Sequence, residues 1–155
     1  MGAQLERREN LLRQMDETIG RLLATYRGIK NPESILFGEW TAKDILGHIV
    51  FWHESFARNV LDILSDLKPT PLKGRLTDLN QQSVVEMRPY STETLLLRLE
   101  SAHQVIQHNI RHPGLELIPY RQGSRPYTPE EHLEIVDRHL SGHLNDLEKA
   151  LSASG

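Results

Sequence analysis

Apolar residues recur at spacings of three and four over four long stretches of the chain, with charged residues between them. This spacing places the apolar side chains on one face of an α-helix, so each stretch predicts an amphipathic helix that packs against others. The predicted helices cover residues 5–26, 41 to about 67, 91 to about 111, and 128–151. A shorter helix is predicted over residues 78–87, where Pro89 stops it.

Two of the helix starts are strongly indicated by their capping residues. Thr128 is a good N-cap, Pro129 suits the first helical position, and Glu131 completes a capping box. Thr41 with Asp44 is a variant of the same box that has Asp in place of Glu. We therefore expect helices to begin directly after Thr41 and Thr128.

The connections between the helices differ in character. Residues 68–77 and 112–127 are rich in proline and glycine and predict loops, whereas Ile35, Phe37 and Trp40 make the first connection apolar enough to cap one end of the core. The sequence shows no repeat and no useful run of alternating strand residues. It therefore predicts an all-α protein, a single four-helix-bundle domain over residues 1–155 with long connections and one short extra helix.

Composition limits the chemistry that this domain can perform. A formal net charge of −3 gives no electrostatic reason to expect nucleic acid or an anionic membrane as partner. No apolar run is long enough to span a bilayer, and the charged start of the chain does not resemble a signal peptide, so we expect a cytoplasmic protein. The absence of cysteine excludes disulfides, thiolate metal ligands and a cysteine nucleophile, which leaves histidine and carboxylate to bind any metal.

His139 and His143 form a candidate chelate on the last predicted helix. They are four residues apart and therefore lie on one helical face, about 90° from the centre of the leucine stripe. Two such imidazoles can bind one transition metal, although the pair alone is better explained as two half-buried polar residues on the flank of a helix. His48, beside the apolar stripe of the second long helix, would complete a three-histidine cluster if the two helices are neighbours.

Two segments resemble a known family. Residues 40–52, WTAKDILGHIVFW, together with the later Asn80, resemble the second-helix signature of the DinB-like superfamily, and residues 136–144, VDRHLSGHL, resemble its fourth-helix signature. The resemblance covers essentially the whole chain, in order. It implies a bundle of up-down-down-up topology in which His48, His139 and His143 bind a divalent metal ion, with zinc or nickel as the first candidates. Iron and copper also suit three histidines.

The resemblance also implies a class of activity. Members include S-transferases and isomerases that use bacillithiol, mycothiol or glutathione, and many form dimers. We therefore expect a homodimeric, metal-dependent hydrolase or thiol-dependent S-transferase that acts on a small electrophilic molecule, with a low-molecular-weight thiol as cofactor and with neither nucleic acid nor membrane as partner. One alternative is a non-catalytic binding or sequestering protein of the same fold with a structural or vacant metal site. Another is a helical interaction protein that works through its dimer face.

Three further residues near the candidate ligands have two interpretations each. Gly47 and Gly142 directly precede His48 and His143, and a glycine inside a helix either permits a close approach or is sequence drift. Asp44, one turn before His48, either orients that imidazole from behind or caps its helix, and capping is the favoured explanation.

The remaining ionisable residues give weaker signals. Glu54 and Asp146 are candidate acid/base groups, although a carboxylate on a helix flank is usually only solvated. His132 shares a helical face with His139 and is either a spectator or a pocket residue. No partner is visible in the sequence for the other histidines, which are His53, His103, His108 and His112.

Overall fold

Helices account for most of the computed structural model, which describes residues 2–154. Five α-helices lie within that range: α1 (Gly2–Arg27), α2 (Ala42–Leu64), α3 (Leu76–Met87), α4 (Thr92–Asn109) and α5 (Pro129–Ser154). A single-turn 3-10 helix (Pro32–Ser34) and two short strands, β1 (Leu36–Phe37) and β2 (Trp40–Thr41), lie between α1 and α2. The prediction of four long helices and a short extra one, α3, is confirmed.

The two predicted capping boxes are present at the starts of α2 and α5. The Asp44 backbone N–H donates to Thr41 Oγ1 at 3.0 Å, and the Thr41 N–H donates to the Asp44 carboxylate at 3.1 Å. In the same way, the Glu131 N–H donates to Thr128 Oγ1 at 3.2 Å, and the Thr128 N–H donates to the Glu131 carboxylate at 3.0 Å. Each box satisfies two backbone N–H groups that would otherwise lack a partner at a helix start.

Ion pairs between helices show that α1 and α5 are parallel. Arg7 binds Glu134 at 2.7 Å near the start of both helices, and Arg21 binds Glu148 at 2.8 Å near the end of both. The residue numbers of the two partners therefore increase together along the two helices.

Helix α4 runs against α1. Near the start of α1, Glu9 pairs with Arg111 beyond the end of α4, whereas Arg27 at the end of α1 binds Glu100 at 3.1 Å. The partner's residue number falls along α4 as the residue number rises along α1, so the two helices are antiparallel.

Helix α2 lies parallel to α4. Lys43 at the start of α2 donates to the carbonyl of Arg88, just before α4, at 3.0 Å. About ten residues later in both helices, Glu54 of α2 binds Arg98 of α4 at 2.6 Å. With α1 and α5 in one direction and α2 and α4 in the other, the topology is up-down-down-up, as the resemblance implied.

The first connection closes one end of the bundle through a hairpin that the sequence did not predict. Strands β1 and β2 pair antiparallel around Gly38, whose φ of +65° is in the left-handed region that glycine adopts readily. Phe37 and Trp40 pack against the core, and Tyr26 of α1 donates to the Ala42 carbonyl at 2.7 Å. Strands of two residues are too short to show an alternating pattern, so the sequence did not predict the hairpin. The prediction that this connection caps one end of the core is confirmed.

Helix α2 ends three residues before its predicted end. Ser65 is the C-cap, Asp66 has a φ of +60°, and the Leu67 N–H donates back to the Asp62 carbonyl at 2.8 Å. The apolar Leu67 therefore lies beyond the helix in a left-handed C-terminal motif.

No helix within residues 2–154 has an apolar stretch that could cross a membrane.

Helix α3 packs across the first half of α2. A Cβ added at Gly47 would lie 2.6 Å from Met87 Cβ, so the packing requires glycine there. Gly142 on α5 is different, because no heavy atom outside the helix's own neighbouring backbone lies within 4 Å of the position of its Cβ. The close approach of another part of the protein is therefore confirmed for Gly47, whereas at Gly142 only the approach of a ligand stays a prediction.

Candidate metal centre

Three histidines meet where the antiparallel helices α2 and α5 contact each other. His48 on α2 is buried, with 3% of its surface exposed, whereas His143 is half-buried and His139 exposed. The Nε2 atom of His139 lies 3.4 Å from that of His48 and 2.9 Å from that of His143. One ring nitrogen from each side chain lies within 4.8 Å of the others, so the three residues could hold one metal ion.

Two of the three nitrogen separations are close to those of a metal site. Tetrahedral coordination with zinc–nitrogen bonds of about 2.0–2.1 Å separates two ligand nitrogens by about 3.3 Å. The two measured separations, 3.4 and 2.9 Å, lie on either side of that value. The donor atoms are therefore close to the positions that a single small divalent ion requires.

Ser83 on α3 fixes which nitrogen of His48 faces the other two histidines. Its hydroxyl donates to the Asn80 carbonyl at 2.6 Å, so its oxygen is left to accept from His48 Nδ1 at 3.0 Å. His48 then carries its proton on Nδ1 and a free lone pair on Nε2, the state that a metal ligand needs. Ser83 is fully buried and was missed by the sequence analysis, although it follows the motif residue Asn80 by three positions.

Asp44 does not contact His48 in the manner of Ser83. Its carboxylate caps α2 and accepts from Arg88 Nε at 3.2 Å. The favoured explanation of Asp44 as a cap is therefore confirmed, and orientation of His48 is the role of Ser83.

The three imidazoles are neutral at neutral pH. Burial lowers the pKa of His48 to about 3, and the nearby His143 and His139 lower it further. Burial also lowers the pKa of His139, and burial together with His139 lowers that of His143 to about 4 against an opposing effect of Asp146. Neutral imidazole is the form that binds metal, so protons compete with an ion only in acid.

A cavity of about 260 Å³ adjoins the cluster. It lies between α2 and α5 and is closed by α3 and by the connection that precedes α5. His139 belongs both to its wall and to the cluster, and Trp52, Phe56, Tyr120 and His132 supply aromatic walls. The sequence could not show this cavity because Tyr120 comes from a loop with no periodic pattern.

Comparison with known proteins identifies the fold. No protein-family model matches the chain, and no curated protein sequence matches it significantly. Two solved structures superpose on it with a TM-score of 0.72, the mycothiol-dependent maleylpyruvate isomerase at 14% identity and a histidine-to-alanine variant of that enzyme at 12%. The protein has the DinB-like fold. The match covers 90% of this chain and 60% of the isomerase chain, so the protein spans less than two thirds of that enzyme's length.

The two carboxylates suggested for acid/base roles occupy different places in this DinB-like bundle. Asp146 lies beside His143 and lines a small pocket of about 120 Å³ with it. Glu54 instead faces α4, where its two oxygens accept from Arg98 at 2.6 and 2.8 Å. Asp146 is therefore placed near the cluster, whereas Glu54 serves as one half of an ion pair.

A second set of polar residues crosses the DinB-like bundle below the cluster. His53 Nε2 on α2 lies 3.1 Å from His103 Nδ1 on α4, and His103 Nε2 lies 2.7 Å from Asp16 Oδ1 on α1. No local pattern predicts these contacts, because each joins residues far apart in the chain. His132 lines the cavity, which supports its interpretation as a pocket residue.

The last two histidines lie outside both groups. His108 is exposed on α4, and His112 accepts from the Gly114 N–H at 2.9 Å in the following turn. Neither residue belongs to the three-histidine group.

Proposed function

We propose that this protein is a metal-dependent enzyme that acts on a small electrophilic molecule by thiol-dependent transfer. Its divalent metal ion, zinc or nickel, is held by His48, His139 and His143. The observation that carries the proposal is the convergence of three neutral imidazole nitrogens at the wall of a cavity. A purely structural metal site would be enclosed by four ligands, whereas three ligands beside a cavity are typical of a catalytic site.

The chain's own residues supply the orientation that such a site needs. Ser83 holds the His48 proton on Nδ1, so that Nε2 faces the other two imidazoles. His139 places the cluster in direct contact with the cavity. A divalent ion held by these three histidines would supply a Lewis acid. We assign the transfer of a proton beside the cluster to Asp146, because this carboxylate lies near His143.

A separate small-molecule thiol agrees with the composition of the chain. The protein has no cysteine, so a sulfur nucleophile must come from another molecule. The structural neighbour is named for its dependence on mycothiol. Hydrolysis by the same metal site is the alternative chemistry, and the assay below distinguishes it because hydrolysis proceeds without added thiol. Homodimer formation and cytoplasmic location stay predictions.

Metal content is the first test. We expect about one ion per chain in the wild-type protein by elemental mass spectrometry after reconstitution with zinc or nickel, and loss of that ion in His48→Ala and His143→Ala. His108→Ala is the matched control, because it removes an exposed histidine that lies outside the cluster. Wild-type protein that retains no ion after reconstitution would contradict the proposal and favour the non-catalytic alternative.

Activity is the second readout of the same variants. Loaded protein should accelerate the reaction of 1-chloro-2,4-dinitrobenzene with one of bacillithiol, mycothiol or glutathione, and the acceleration should disappear in His48→Ala. Equal rates in His48→Ala and wild type would show that the metal cluster is not the site of reaction. Turnover of an ester substrate without thiol would identify the hydrolase instead.

A further inference from the structure

The cavity beside the cluster has a wall without formal charge. Among the residues described, none that lines it is lysine, arginine, aspartate or glutamate. Trp52 stacks on Tyr120 with ring centroids 5.2 Å apart, and Phe56 stacks on His132 at 4.0 Å. Away from the end of the cavity where His139 meets the cluster, a carboxylate or phosphate would lose its hydration without gaining a cation, which is costly in a buried site. The wall therefore suits an uncharged ligand with an apolar, planar body.

Two buried histidines in this wall have ring nitrogens without partners. His53 and His132 are 2% and 3% exposed. Within residues 2–154, neither His53 Nδ1 nor either ring nitrogen of His132 has a hydrogen-bond partner of normal geometry. A buried polar atom without a partner costs about 1–3 kcal/mol, so most such atoms in proteins are paired or serve a ligand.

The contacts of Asp16 determine the state of His53. The Asp16 carboxylate also accepts from Gln107 at 3.0 Å, and an ionised carboxylate can only accept, so His103 donates to it through Nε2. His103 Nδ1 then carries a lone pair and accepts from His53 Nε2. His53 therefore has no proton on Nδ1, and that nitrogen is an acceptor without a donor.

Burial keeps both cavity histidines neutral. Burial lowers the pKa of His53 to about 3, with smaller contributions from His103 and His132. Burial lowers the pKa of His132 to about 4 against a smaller opposing effect of the backbone at His132 and Pro119. A neutral His132 carries one N–H donor and one acceptor. Together the two rings offer acceptors and one donor, the complement of a hydroxyl group.

We propose that this cavity binds a neutral, largely apolar molecule that carries a hydroxyl group of the phenol, enol or alcohol type, with the O–H donated to His53 Nδ1 and the oxygen within reach of the His132 ring. The volume of about 260 Å³ is ample for one aromatic ring, since benzene fits a cavity of roughly 150 Å³. This inference deepens the proposed function by naming a hydroxyl group that the electrophilic substrate carries apart from its reacting centre, and it rests on that function only for the chemistry that follows binding.

The ligand class is tested with three probes of similar shape: phenol, toluene and benzoate. Each is titrated into the full-length protein while the ring nitrogens of its histidines are followed by long-range proton–nitrogen correlation. Before any ligand is added, His53 should show the tautomer with the proton on Nε2. We expect phenol to shift the nitrogen signals of His53 and His132 and to bind roughly tenfold more tightly than toluene or benzoate.

His132→Phe is the main variant, because phenylalanine keeps the stacking on Phe56 and removes two unpartnered nitrogens, so the variant should fold. In this variant phenol should lose most of its advantage over toluene. His108→Phe, at an exposed site on α4, is the matched control and should keep the preference.

The outcomes separate this inference from the metal proposal. Among the residues that the structure describes, His48 is not one that lines the cavity. Phenol binding should therefore persist in His48→Ala, whether or not the protein binds metal. Equal affinities for phenol and toluene would show that the histidine nitrogens do not contact the ligand. Preferred binding of benzoate, or no signal change with any probe, would overturn the inference.

Discussion

The hydroxyl of Ser83 shows how one atom can decide the state of a candidate metal ligand. Because it donates to the Asn80 carbonyl, it can only accept from His48. The imidazole is thereby held in one tautomer and one orientation. Partners of this kind are as much a part of a metal site as the ligands themselves.

Replacement of Ser83 by alanine is expected to weaken zinc binding by about tenfold to a hundredfold. The His48 Nδ1–H would lose its acceptor in a buried position, and the ring would be free to take the other tautomer or to turn. Affinity is measured by competition with a chromophoric chelator. Ser101→Ala, at an exposed position on α4, is the control and should bind zinc as the wild type does. Unchanged affinity in Ser83→Ala would show that Nδ1 needs no partner.

Helix α3 is short, but it sets the position of the site through its packing on α2. The contact between Met87 and Gly47 brings Ser83 to His48. We expect Gly47→Ala to lower the free energy of unfolding by about 1–3 kcal/mol, because the new Cβ would overlap the Met87 side chain. Urea denaturation measures the change.

Gly142→Ala on α5 is expected to change the stability in the opposite direction. Its Cβ would meet open space, so the variant should be more stable than wild type by about 1 kcal/mol through helix propensity alone. The same direction of change in both glycine variants would contradict the packing argument. A smaller loss of stability from Gly47→Ala in a Met87→Gly background, which lacks the Cβ that the new methyl group would meet, than in the wild-type background would confirm that the contact is the cause.

The elements were predictable from sequence where the determining contacts are local. Thr41 and Thr128 cap their helices through residues three positions away, and a leucine stripe repeats every turn. The contact of Ser83 with His48 spans 35 positions, and that of Asp16 with His103 spans 87, so no local pattern contains them. The three candidate ligands were found together only because the resemblance supplied the neighbouring helices.

At the scale of the whole molecule, buried neutral histidines make stability depend on pH. The pKa of His53 is about 3 and that of His132 about 4 in the folded protein, compared with about 6.5 in an unfolded chain. As the pH falls through 6.5, the unfolded chain binds protons that the folded protein does not. The contribution of these two histidines to the free energy of unfolding of the metal-free protein should therefore be constant above about pH 7 and fall by a few kcal/mol towards pH 4.

Urea denaturation at a series of pH values measures this slope. His132→Phe removes one of the two groups, so its stability should fall less steeply between about pH 6.5 and 4 than that of the wild type. Identical slopes in the two proteins would show that His132 titrates normally in the folded state. His108→Phe, at an exposed site on α4, provides the control and should follow the wild-type curve.

The positions of the aromatic side chains give the protein an optical property. The chain has two tryptophans. Trp40 lies with its ring centroid 5.5 Å from that of His48, and Trp52 stacks on Tyr120 in the cavity wall. All indole fluorescence of the protein thus arises beside one of the two sites, and removal of either tryptophan would leave an emission spectrum that reports on the other site alone.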